Sequence, residues 1–223
     1  MMKKAIITGS TGMIGGLILE LCLSDEEISE VLLLNRRPIG IQNKKIREVI
    51  LEDFSDYSKA AELFSDIDAA FFCLGAYTGK VPDELFRKIT VDYAVAFAKM
   101  LHEKSPNASL CLLSGAGADR KEKSRYSFAK YKGIAENQIV ALGIEKFYCF
   151  RPAYIYPVTP RKEPNFMYKA MRFLYPLLRL FGKNMSIRST DLARAMFEVG
   201  LNGGQKQILE NRDILNSLIK ESK

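Results

Sequence analysis

Along this chain, short apolar runs rich in β-branched residues alternate with longer stretches whose apolar positions recur every three or four residues. The short runs at Ala5–Thr8, Val31–Leu34, Glu48–Leu51, Ala69–Cys73, Leu110–Ser114 and Phe147–Arg151 read as strands. The stretches Ile14–Leu23, Ser58–Phe64, Pro82–Glu103 and Ser124–Ala141 read as helices. Strand and helix in strict turn build βαβ units, and these predict an α/β fold: a doubly wound, Rossmann-like parallel sheet with a small helical C-terminal elaboration. A single domain over residues 1–223 is expected, with 157–223 forming a basic region for substrate or partner. In such a sheet ligands gather at the C-terminal strand ends, so functional residues are expected just after each strand.

Composition changes this picture only locally. About a quarter of the residues are charged and nearly half are apolar, an ordinary globular balance. The formal net charge of +7 lies entirely in the last third: residues 1–150 hold 20 basic and 20 acidic residues, and residues 151–223 hold 13 and 6. One basic region on a balanced domain points to a local anionic partner, such as an anionic small-molecule substrate, rather than to nucleic acid. Cys22, Cys73, Cys111 and Cys149 are widely separated in apolar surroundings, which predicts reduced, buried thiols and no metal site. No apolar leader or membrane-spanning run is visible, so a cytoplasmic protein is expected. The lone histidine, His102, reads as a solvated residue at a helix end.

The first strand runs directly into Thr8-Gly9-Ser10-Thr11-Gly12-Met13-Ile14-Gly15-Gly16. Glycines three residues apart let a backbone turn sharply, approach a pyrophosphate closely and pack the following helix against the sheet. The helix N-terminus then presents N–H groups to the phosphates. Twenty residues beyond Gly15, the second strand ends in Asn35-Arg36-Arg37, where an NAD-preferring site places an acid. Two guanidiniums there suit a 2′-phosphate, so NADP is expected rather than NAD.

The pattern Thr8 to Gly15, with Cys73-Leu74-Gly75 after the fourth strand, Ser114 after the fifth and Phe150-Arg151-Pro152 after the sixth, resembles the short-chain dehydrogenase/reductase superfamily. More narrowly it resembles the atypical NAD(P)H-binding branch that includes the Tat-interacting-protein-like oxidoreductases. The resemblance implies that the backbone of Ser10, Thr11, Met13 and Ile14 wraps the phosphates. It further implies that Asp53 flanks the adenine, that Cys73, Leu74 and Gly75 lie along the ribose, and that Pro152 lies near the nicotinamide. It also suggests helix packing between subunits, as in a homodimer.

Reductases of the superfamily use a serine with a YxxxK pair, because residues i and i+4 share a helix face and an ammonium beside a phenol lowers its pKa. Tyr126-Ser127-Phe128-Ala129-Lys130 supplies the motif. With it, Ser114 orients a carbonyl, Tyr126 exchanges the proton, and Lys130 tunes Tyr126 and holds the nicotinamide ribose. A rival register is open: Lys132-Gly133-Ile134-Ala135-Glu136 also resembles the family sequence around its lysine, with Phe128 at the tyrosine position. A shift of two residues turns a helical side chain by about 200°, so only one register faces the cofactor.

The first register predicts an NADP-dependent oxidoreductase acting on a carbonyl of a small or acyl substrate. The second predicts an NADP(H)-binding regulator or scaffold. A nucleotide-sugar epimerase shares the fold, but its substrate lobe is larger than the C-terminal remainder here. Within that remainder, residues 161–188 carry Arg161, Lys162, Lys169, Arg172, Arg179, Lys183 and Arg188, and on a helical reading Lys169, Arg172, Arg179 and Lys183 form a basic stripe opposite apolar positions. The stripe suits a helix packed over the substrate cleft, or a membrane-surface or protein contact.

Overall fold

In the computed structural model, residues 2–159 and 185–219 are described. They begin with β1 (Lys3–Thr8), α1 (Met13–Ser24), β2 (Ile28–Asn35) and β3 (Ile46–Ile50). A 3₁₀ segment at Ser58–Phe64 leads to β4 (Ala69–Phe72). Next come α2 (Asp83–Arg87), a π turn at Lys88–Asp92, α3 (Tyr93–Lys104), β5 (Ser109–Leu113) and α4 (Ser127–Val140). The chain continues through β6 (Phe147–Arg151), β7 (Tyr154–Tyr156), β8 (Ser186–Arg188), α5 (Ser189–Asn202), β9 (Ile208–Glu210) and α6 (Asn211–Ile219).

The main sheet has strand order β3-β2-β1-β4-β5-β6-β9, with every pair parallel. This is a doubly wound α/β fold. Side chains alternate across the sheet, so Ile6, Leu32, Leu34 and Ala70 join α3 and α4 in one apolar layer. Ala5, Ile7, Leu33 and Phe71 join α1 and α5 in the other. Burial on both faces explains why the central strands read as unbroken apolar runs. The strand order reverses between β1 and β4, which opens a crevice beyond the ends of those two strands.

Three elements differ from the pattern-based expectation. The helix expected over Pro82–Glu103 is interrupted, because Lys88–Asp92 forms a π turn between α2 and α3. The segment Ser58–Phe64 is 3₁₀ rather than α-helical. The C-terminal part includes strands as well as helices: β9 adds a seventh strand beside β6, and β7 pairs with β8. Three-residue strands leave too short an alternation to be legible in a sequence. Of the basic residues in 161–188, Arg188 ends β8 with an exposed side chain; Arg161, Lys162 and the stripe residues Lys169, Arg172, Arg179 and Lys183 lie outside the described residues. His102 is half-buried in the last turn of α3, and its Nδ1 is enclosed without a hydrogen-bond partner among the described residues, so it is not the solvated residue expected.

All four cysteines are free thiols. Burial raises the Cys22 thiol from the ordinary 9.0 to about 12, and it raises Cys111 and Cys149 as well. An acid whose folded pKa is raised keeps its proton in the native state while the unfolded chain loses it. Stability is therefore full below the ordinary thiol range and falls as pH climbs from about 9 toward 12, by roughly 1 kcal/mol per pH unit per thiol. The denaturant midpoint is expected to drop between pH 8 and about 10, and to drop less steeply in a Cys22→Ala variant.

Candidate functional site

Thr8 ends β1 inside the sheet, and the chain turns at Gly9 with φ +77, a left-handed conformation that favours glycine. A Cβ on Gly9 would also stand 2.9 Å from the Cys73 carbonyl group, so the turn lies directly on the chain leaving β4. Gly12 caps α1 without a side-chain hydrogen bond, and its N–H is donated to the Gly9 carbonyl at 2.9 Å. A Cβ on Gly15 would lie 2.3 Å from that same oxygen. The first turn of α1, beginning at Met13 and buried Ile14, has no acidic residue. Uncapped N–H groups at a positive helix end, under a backbone with no Cβ in the way, form a cradle for phosphate.

Beside this cradle lies a cleft of about 410 Å³ lined by Gly9, Thr11, Asn35, Arg36, Arg37 and Phe54, among others. Arg36 and Arg37 are exposed, and neither forms an ion pair among the described residues. Asn35 is buried; its Oδ1 accepts a hydrogen bond from Ser10 Oγ at 2.8 Å, and its Nδ2 donates to Glu48 Oε1 at 2.6 Å. Leu74 lines the cleft and Gly75 next to it is exposed. Burial pushes the Cys73 thiol up to about 12. Asp53, next to the wall residue Phe54, is exposed and held by the Ser55 hydroxyl at 2.7 Å and by Lys88 Nζ at 2.9 Å. Those hydrogen bonds, Ser55 first, keep its carboxyl well below the usual range.

The other end of the crevice is set by the rotation of α4. Asp119 N–H donates to the Ala129 carbonyl at 2.9 Å, and a Cβ on Gly133 would lie 1.9 Å from the Asp119 carbonyl oxygen. Loop and helix thus meet backbone to backbone. In this register Tyr126 is the N-cap of α4 and is 80% exposed, and Lys130 is exposed too. The expected Ser114–Tyr126–Lys130 constellation is not assembled, because the contact at Gly133 turns the Tyr126 and Lys130 positions away from the sheet.

The rival pair faces inward. Lys132 Nζ donates to the Leu113 carbonyl at the end of β5, at 2.9 Å, and burial pushes its ammonium below the ordinary lysine value. The Phe128 ring lies on Gly115, where a Cβ would come within 2.4 Å of the ring. Ser114 is buried and donates its hydroxyl proton to Glu136 Oε1 at 2.5 Å. Glu136, 1% exposed, is paired with Arg151, which also reaches Glu210 at 2.9 Å. This buried pair is fully hydrogen-bonded, the condition under which a charge tolerates a protein interior. Pro152, buried just after β6, accepts the Ala116 N–H at 2.9 Å and closes the floor between the β5 and β6 ends. Pattern reasoning missed Glu136 and Glu48 as members of these networks. Glu136, four residues beyond Lys132 on the same helix face, was within reach of the i, i+4 rule.

A parallel seven-stranded sheet with a glycine-rich turn at its switch point is the fold of NAD(P)-binding proteins of the short-chain dehydrogenase/reductase type. The chain is similar to the atypical branch of that superfamily. No protein-family model matches it. Among its relatives, rat Protein HTATIP2 is 27% identical over 218 residues, covering 96% of this chain and 88% of that protein. Protein FMP52, mitochondrial, of Debaryomyces hansenii is 32% identical over 161 residues, covering 67% of this chain and 65% of that protein, less than two thirds of its length. Among solved structures, Gre2 from Candida albicans in complex with NADPH superposes with TM-score 0.71 at 12% identity, covering 93% of this chain and 77% of that one. The Bordetella bronchiseptica enzyme WbmH in complex with NAD+ gives 0.69 at 17%, covering 99% and 81%. These neighbours bind NAD or NADPH, in keeping with a nicotinamide dinucleotide site.

The cytoplasmic expectation is overturned, because the fungal relatives are named as mitochondrial proteins. Among the described residues no helix is long and apolar enough to cross a membrane.

The backbone contact at Gly133 makes a firm test of the register of α4. A Gly133→Ala variant is expected to lose about 2–3 kcal/mol of stability in denaturant unfolding, since neither backbone segment can retreat without breaking the Asp119–Ala129 hydrogen bond.

Proposed function

We propose that the chain binds NADP(H) in preference to NAD(H), and that it is an oxidoreductase whose hydride acceptors need no acid from the protein. The observation that carries the cofactor preference is the cleft of about 410 Å³, which has two guanidiniums at its edge and no carboxylate in its lining. The amides of the Gly9–Gly12 turn and of the first turn of α1 hold the pyrophosphate. Arg36 and Arg37 receive the 2′-phosphate through charge-assisted hydrogen bonds. Lys132, already at the end of β5, holds the nicotinamide ribose. The bound dinucleotide supplies hydride transfer.

The second half of the proposal rests on side chains that have no proton to give. Phe128 occupies the place next to Gly115, and the Ser114 proton is committed to Glu136. A ketone or aldehyde needs a proton at oxygen as hydride arrives, and a phenol normally delivers it. Without one, suitable acceptors are those whose reduced form takes its proton from water, the quinone or flavin class. The Phe128–Gly115 contact also favours a second reading, an NADP(H)-sensing regulator that transfers no hydride.

Titration with NADPH and NADH, for the native protein and an Arg36→Ala/Arg37→Ala variant, tests the first half. Preference for NADPH is expected, and the variant should lose about tenfold or more in NADPH affinity with little change for NADH. NADPH oxidation by a quinone or flavin but not by simple ketones supports the reductase. Tight binding with no oxidation by any of them supports the regulator, and ketone reduction at ordinary rates contradicts the proton argument.

A further inference from the structure

The short segment Asn35–Ile39 carries the two arginines, and both of its ends are fastened to one side chain. Glu48, half-buried on the edge strand β3, accepts the Asn35 Nδ2 proton at 2.6 Å and the Ile39 N–H at 3.0 Å, both on Oε1. A longer contact of 3.3 Å joins the Ile39 N–H to Oε2. Asn35 extends the chain of bonds through its other amide atom, which accepts from Ser10 Oγ at 2.8 Å in the phosphate turn. Ser10, Asn35, Glu48 and Ile39 therefore form one continuous network between the pyrophosphate cradle and the Arg36–Arg37 loop.

Resting on the NADP(H) reading above, we propose that Glu48 is the positioning residue for 2′-phosphate recognition, fixing the loop from behind while both guanidiniums stay exposed. Glu48 makes no ion pair among the described residues, so its carboxylate is given over to these donors. Pairing of β3 with β2 runs through backbone groups and does not use this side chain. The charge itself works against the ligand, because a carboxylate behind an anion site repels a phosphate. Geometry, rather than charge, is the reason to keep an oxygen there, and a single oxygen serves both main contacts.

This separates the roles of shape and charge in three variants. Glu48→Gln keeps an Oε1 acceptor and loses the repulsion; Glu48→Asp keeps the charge but is one methylene too short; Glu48→Ala loses both. The affinities for NADPH and NADH are measured by calorimetry on the whole protein, with circular dichroism to confirm folding. The native protein is expected to prefer NADPH. Glu48→Ala and Glu48→Asp should each lower the NADPH-to-NADH preference by about tenfold, with NADH affinity within about twofold of native, while Glu48→Gln keeps the preference or raises it. An unchanged preference in Glu48→Ala, an equal loss of both ligands, or a loss in Glu48→Gln that matches Glu48→Ala would overturn the proposal. If the native protein shows no preference, the NADP(H) reading itself fails and takes this inference with it.

Discussion

Helix α4 lies so close to the loop after β5 that a single added methyl group at Gly133 would collide with the Asp119 carbonyl. Backbone contact of this kind permits no sliding and no rotation, because protein interiors give way by tenths of an ångström rather than by whole side chains. The Asp119–Ala129 hydrogen bond fixes the same surface one turn earlier. Everything the helix presents to the crevice follows: Phe128 against Gly115, Lys132 on the Leu113 carbonyl, Glu136 on Ser114 and Arg151. Tyr126 and Lys130 fall on the outside for the same reason.

The crevice thus has two ends of different character. At one end, glycines at the switch point bring backbone N–H groups and a helix terminus to a site that a network of neutral and charged oxygens ties to two arginines. At the other, a buried carboxylate is spent on a guanidinium and a serine hydroxyl, and an aromatic ring stands where the superfamily resemblance expects a phenol. The first end is built for binding an anion. Among the described residues the second places the Lys132 cation at the end of β5, the Phe128 ring against Gly115 and a serine whose proton is held by Glu136, and the proposed chemistry, narrower than carbonyl reduction, rests on these.

Much of the fold was legible in the sequence. Central strands such as Val31–Leu34 and Leu110–Leu112 are buried on both faces and announce themselves as apolar runs, and the glycine turn sits between β1 and the apolar helix α1. Legibility failed where tertiary contact overrides local pattern. The YxxxK spacing at Tyr126–Lys130 is a genuine helical pair, but nothing in those residues reveals that Gly133 and Asp119 will touch; the rotation of a helix is a property of what it packs against. Likewise β7, β8 and β9, three residues each, carry no readable alternation, and the π turn at Lys88–Asp92 left no breaker in the sequence. Glu48 read only as the first residue of a strand, and only the folded loop shows what it holds.

The orientation of α4 is the claim on which the account stands, and the two lysines on its opposite faces test it most directly. Calorimetric affinity for NADPH should be compared in Lys132→Met and Lys130→Met, each of which removes the charge while keeping a long side chain. The account predicts that Lys132→Met weakens binding by about tenfold and that Lys130→Met leaves it unchanged. The opposite result, a loss confined to Lys130→Met, would mean that the other face of the helix meets the cofactor and would restore Tyr126 as the proton donor.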